Sequence, residues 1–252
     1  MKFSSSLFVI AVCVHAGHAA AVEDLLDTCR AGSSYDLTLT PGSLVFERAA
    51  PSARRIELRD GALRIDGVAL TLNTEDSDRL ALFVREMRGL VPQARAIAQR
   101  GLDLATGVVR KETHALVSTT QARAELDQRI AAHAAEMRRR IATSSSTRDW
   151  QGEAFEHEVG AMAEDLVPLL TADLGGQAVT AALNGDVDAA LALQARASEL
   201  GNGLQPKIER SLRALRPDIE ALCPSIRRLH ELQQGLRDGK GRSLDLVEID
   251  GR

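Results

Sequence analysis

ALRIDGVALTLNTEDSDRLALFVREMRGLV, residues 62–91, changes its apolar period at its centre. Before Asn73 the apolar residues alternate, with Leu63, Ile65, Val68, Leu70 and Leu72 predicting strands with one apolar face. After it, Leu80, Phe83, Val84, Met87, Leu90 and Val91 recur at spacings of three and four, which is the stripe of an amphipathic helix. Asn73 is a good N-cap, and Asp76 three residues on suits the positive end of the helix dipole. The stretch is therefore a junction between sheet and helix, and the fold class it implies is α+β, predominantly α.

Towards the N-terminus the same strand grammar continues as YDLTLT from Tyr35, SLVFER from Ser43 and RIELRD, with Ile56 and Leu58 on the apolar face. Pro41-Gly42, Asp60-Gly61 and Asp66-Gly67 separate the runs, and Asp-Gly accepts the positive φ of tight hairpin turns. We read a small antiparallel β-meander over 22–73.

Towards the C-terminus the helical region is expected over 74–238. Pro92 either opens a second helix or kinks the first. From there to Ser144 apolar residues keep approximate helical spacing almost without breakers, predicting one long helix of roughly 50 residues and ~75 Å. A polar connection, Ala142 to Arg148, reverses the chain, with Asp149 placed to cap a returning helix and so complete an αα-hairpin or bundle. Gly175-Gly176, Gly185 and Gly201 to Gly203 then divide shorter helices, the clearest being Asp186 to Leu200. Pro206 is expected to open a last helix to about Arg237, broken or kinked at Pro217 and Pro224. The tail, 239–252, is expected to fray, with SLDLVEI as the one segment able to add an edge strand to the meander.

The first residues read as an export leader. Lys2 precedes the apolar run Leu7 to Val14, and small residues follow, so cleavage is expected near Ala19 to Ala21 and residues 1–21 form a signal peptide. A run of roughly eight residues is far short of the ~20 that span a bilayer, so no permanent membrane anchor is expected. The implied location is the periplasm. Loss of Lys2 makes a formal charge of -4 one unit more negative, a poor field for nucleic acid or anionic lipid. Cys13 leaves with the leader, and Cys29 and Cys223 remain. In an oxidising compartment the two are expected to pair, the alternative being two separate thiols.

Chemistry-bearing motifs are weak. His157 and Glu153 share a helical face, but two ligands fall short of a zinc site and there is no HExxH pair. His133 and Met137 lie on a stripe with Leu126, Ile130 and Ile141, which points to packing rather than copper. No GxSxG elbow occurs, and Gly235 to Lys240 has three residues between its glycines where a phosphate loop needs four. Arg138 to Arg140 suit a helix C-terminus. No catalytic residue, metal or cofactor is implied. Trp150 and Phe155, the bulky aromatic pair near the hairpin reversal, are the candidate partner contact if exposed and lock the returning helix if buried.

The stretch RDGALRIDGVALTLNTEDSDRLALFVREMRGLVPQARA, residues 59–96, resembles the corresponding part of the YggN family of bacterial envelope proteins, a domain of unknown function. DTC around Cys29 and ALCPSIRRLHELQQGLRD around Cys223 fit the same layout. The resemblance implies periplasmic residence and two terminal cysteines, and carries no catalytic residue. The expected function is non-enzymatic binding of another envelope protein or of an unfolded exported chain. Its rivals are a hydrolase or metal-dependent enzyme with dispersed residues around His157, Glu153 or His133, and a binder of an apolar ligand between helices. The oligomeric state is not readable from the sequence.

Overall fold

The computed structural model describes residues 27–49, 54–150 and 153–249. The leader assigned to residues 1–21 lies outside them. The described chain forms two compact units. A sheet unit takes Leu26–Ala98, Ala142–Phe155 and Arg216–Arg252, and a helical unit takes Gln99–Ile141 and Glu156–Leu215.

In the sheet unit, β2 (Asp36–Leu39), β3 (Leu44–Glu47), β4 (Arg55–Arg59), β5 (Ala62–Ile65) and β6 (Val68–Leu70) form an antiparallel meander in sequence order. Both Asp-Gly pairs hold positive φ at both residues, as two-residue hairpin turns require. The register sets Leu44 opposite Leu58, Phe46 opposite Ile56 and Leu58 opposite Leu63. These side chains all lie on the core face, where Leu80, Phe83, Val84 and Met87 of α1 (Thr74–His114) cover them. Val68 departs from the alternation read in the sequence and stays exposed. Asn73 Oδ1 accepts from the Asp76 amide at 2.8 Å, and its Nδ2 donates to the Asp76 carboxylate, so the cap is built as the sequence implies.

α1 neither ends nor restarts at Pro92. The predicted 50-residue continuation does not form, however: it stops at His114, and α2 (Thr120–Thr143) begins after a five-residue turn. Local polar competition explains the break. Thr113 turns its hydroxyl back onto the Val109 carbonyl, and Thr119 caps α2 by accepting from the Ala122 amide. The apolar Leu116 and Val117 between them are buried, which is why the periodicity concealed the turn.

α2 and α3 (Glu153–Leu183) run antiparallel in the helical unit, where Leu126 and Ile130 share a core with Leu166 and Leu170. Asp149, read as a cap for α3, accepts at its carboxylate from the Ser145 and Ser146 amides and closes the preceding loop; residues 151 and 152, which lead into the helix, lie outside the described residues. That loop shields the edge of β2, with the Leu39 amide donating to Ser145 O at 2.7 Å and Arg148 paired to Asp36.

The glycines divide fewer helices than expected. α3 runs through Gly175-Gly176, and α4 (Val187–Leu212) runs through Gly201, Gly203 and Pro206, so Pro206 does not open a helix. Asp186 does cap α4, accepting from the Ala189 amide at 2.9 Å. The final helix is broken near both later prolines, as expected: Pro217 lies in the first turn of α5 (Arg216–Glu220), and Pro224 in that of α6 (Cys223–Gln233).

The tail is packed rather than frayed, with Leu244, Leu246 and Val247 in the sheet-unit core. Its strand, β7 (Glu248–Ile249), pairs with β1 (Ala31–Gly32) in a separate two-stranded ladder and not with the meander.

Candidate functional site

Cys29, closing a short 3-10 turn, and Cys223, opening α6, are disulfide-bonded with Cα atoms 5.2 Å apart. The bond ties the segment leading into β1 to the helix whose end holds the tail. Gln233, buried in that helix, accepts from the Leu246 and Val247 amides at 2.9 and 2.8 Å and donates to the Val247 carbonyl. His230 Nδ1 also donates to that carbonyl at 2.8 Å. His230 is thus used structurally.

The remaining sequence candidates do not converge. His157 is exposed, and the side chains of Glu153 and Phe155 lie outside the described residues. Trp150 is half-buried and donates from Nε1 to Ser144 Oγ at 2.7 Å. His133 Nε2 meets the Asp165 carboxylate at 3.0 Å, and Arg129 pairs with the same carboxylate while bonding Glu125. The Arg129 bond, then the His133 bond, holds Asp165 below the usual carboxylate range. His114 and Arg110 share Asp127. His114, His133 and His230 therefore sit in separate helix-to-helix or helix-to-tail contacts. Among the described residues no three His, Cys, Asp or Glu side chains gather as a metal-binding group.

The feature that does stand out was missed in the sequence. Val179 (60 % exposed) and Leu183 (83 %) close α3, and Val187 (68 %) and Leu191 (58 %) open α4. Each pair is spaced i, i+4 and so shares a helix face. The turn between the helices is fixed: Gly185, at φ 68°, donates to Ala182 O while the Asp186 amide donates to Ala181 O, a Schellman closure.

α3 carries Val179 and Leu183 beyond its contacts with the α1–α2 turn. Its Asp173 receives the Ser118 amide at 2.8 Å and its Gln177 donates to Leu116 O at 2.9 Å, both in the α1–α2 turn. Six more residues of α3 follow Gln177, about 9 Å of helix. Burial raises the Asp173 pKa, but the Ser118 and Gln177 bonds outweigh it and leave it lowered.

The sequence held two signals for this end. One is composition: from Glu156 to Ala195 there are seven Asp or Glu and no Lys or Arg. The other is that Gly160–Leu183 is long and apolar enough to cross a membrane by length and composition, yet only 17 % of an apolar 18-residue stretch within it is buried. Leu166 to Leu183 carries Asp173 as its one charged residue. Inward-facing Leu166 and Leu170 pack this helix against the bundle core.

The fold and its polar contacts define a disulfide-closed α+β protein, predominantly α, whose ionisable side chains serve as struts between elements. The chain belongs to the DUF2884 family of proteins of unknown function, which matches residues 29–246. No curated protein and no solved structure matches it.

Proposed function

We propose that the protein is an exported, periplasmic envelope protein that works by holding another polypeptide, an envelope protein or an unfolded exported chain, and not by catalysis. The observation that carries this reading is the set of exposed aliphatic side chains at the α3–α4 end, Val179, Leu183, Val187 and Leu191. Water-exposed aliphatics at a fixed helical turn gain stability only when a partner covers them, and such patches mark interaction surfaces. The leader-like first residues and the YggN-like stretch at residues 59–96 support the location. Trp150, half-buried beside Ser144, is a second and smaller contact in this reading.

The test is aggregation of urea-denatured citrate synthase on dilution, followed by light scattering, with and without the purified protein. Suppression that falls when Leu183 and Leu191 are both changed to Ser is the expected result. Unaltered aggregation, together with recovery of the protein from the cytoplasmic fraction at uncleaved mass, would end the proposal.

A further inference from the structure

We infer that the α3–α4 end selects a cationic amphipathic segment, aliphatic on one side and carrying Lys or Arg beside it; the inference rests on the binding reading above. The aliphatic half of the recognition is the four side chains already described. Their exposed areas, taken from the four fractional exposures, sum to roughly 450 Å², within the range of functional patches on monomers. It is about half of what one partner contributes to a standard stable interface. A short segment fits that area better than a folded subunit does.

Charge decides the other half. Asp186 and Asp188 stand beside Val187, both exposed, and no Lys or Arg occurs between Arg148 and Arg196 in sequence. The two helix ends meeting at the turn are also unequal. Asp186 and Asp188 complement the positive end of α4, whereas the last turn of α3 has no basic residue to complement its negative end. The field at the tip is therefore negative.

A second copy docked through the same patch would set these carboxylates against their own equivalents, because a two-fold interface is self-complementary. An anionic lipid surface meets the same repulsion. A chain bearing Lys or Arg next to aliphatic residues meets attraction on both counts.

The experiment is fluorescence anisotropy with a labelled designed Leu/Lys amphipathic peptide, alongside versions carrying Gln or Glu in place of every Lys. Each is titrated with the purified, oxidised protein at about 50 mM and about 300 mM salt. The Lys peptide should bind at least about ten-fold more tightly than the Glu peptide at low salt, and the gap should shrink to about three-fold at high salt. L183S/L191S should weaken binding of the Lys peptide by about ten-fold or more. D186N/D188N should reduce only the preference for Lys, with far-UV circular dichroism unchanged, because Asn caps a helix as well as Asp does.

Equal binding of the three peptides overturns the charge inference and leaves the binding reading standing; binding of none overturns both. Sedimentation velocity and flotation with phosphatidylglycerol vesicles complete the test. A dimer, or vesicle binding, abolished by L183S/L191S would assign the patch to a second copy or to membrane and overturn the inference.

Discussion

Gln233 treats Val247 as a neighbouring strand would, with its side-chain amide accepting from the Val247 N–H at 2.8 Å and donating to the Val247 carbonyl. The Leu246 amide joins the same oxygen at 2.9 Å. One side chain thereby satisfies backbone groups that the buried tail could not otherwise present to water.

Gln233→Ala leaves those buried amides without a partner, and the expected cost is about 2–4 kcal/mol. The loss should appear as a lowered urea midpoint. Hydrogen exchange should accelerate first at Leu246 and Val247 and only later in the meander.

Gly61 and Gly67 occupy equivalent hairpin turns at φ 82° and 85°, but their surroundings differ. A Cβ on Gly61 would meet Ser77 Oγ at 2.6 Å and Ser77 O at 3.0 Å, whereas one on Gly67 would meet nothing within 4 Å. Gly67→Ala should cost only the backbone strain, about 1–2 kcal/mol. Gly61→Ala should cost clearly more, since the Ser77 hydroxyl would also lose its bond to Gly61 O. Parallel urea titrations of the two variants make the comparison.

Cys29 and Cys223 lie 194 residues apart, so their bond closes most of the chain. Loop-closure entropy gives an upper figure of ~5 kcal/mol for a ring of that size. C29S/C223S should be destabilised by about 3–5 kcal/mol, and reduction of the wild type should lower its urea midpoint by a similar amount. Equal midpoints for oxidised and reduced protein would contradict this.

Asp165 and Asp173 both have carboxyls lowered from the ordinary value of 3.8. A lowered folded-state pKa means that the unfolded chain takes up the proton first on acidification. Their stabilisation is complete above about pH 4 and is lost as pH falls through the folded values. Thermal unfolding between pH 5 and about pH 2 should therefore show a falling midpoint, and Asp173→Asn should flatten that slope.

Much of the sheet unit was legible because its signals are local. Asp60-Gly61, Asp66-Gly67 and Asn73 each carry their turn or cap in their own side chains and backbone preferences. The α1–α2 turn was not, because Leu116 and Val117 are apolar residues at spacings a helix would also accept, and the decisive Thr119 cap is a single hydroxyl. The path of the tail was hidden for a different reason. Its anchor, Gln233, is a polar residue that reads as helix surface until Leu246 and Val247 are brought to it. The exposed α3–α4 end was hidden because Val179 and Leu183 continue the apolar pattern of a buried helix, and only the place where the α1–α2 turn stops shows that nothing covers them.

The sheet unit is assembled from three stretches, the last of which begins at Arg216. A ribosome or a translocation pore delivers the chain N-terminus first, so the meander emerges long before Leu229, Leu236 and Leu246, which complete its core. The half-made sheet must wait through the delivery of more than a hundred intervening residues. Oxidation of Cys29 to its true mate is thus a late event, and a pulse-labelled chain acquires it only once nearly the whole polypeptide has arrived.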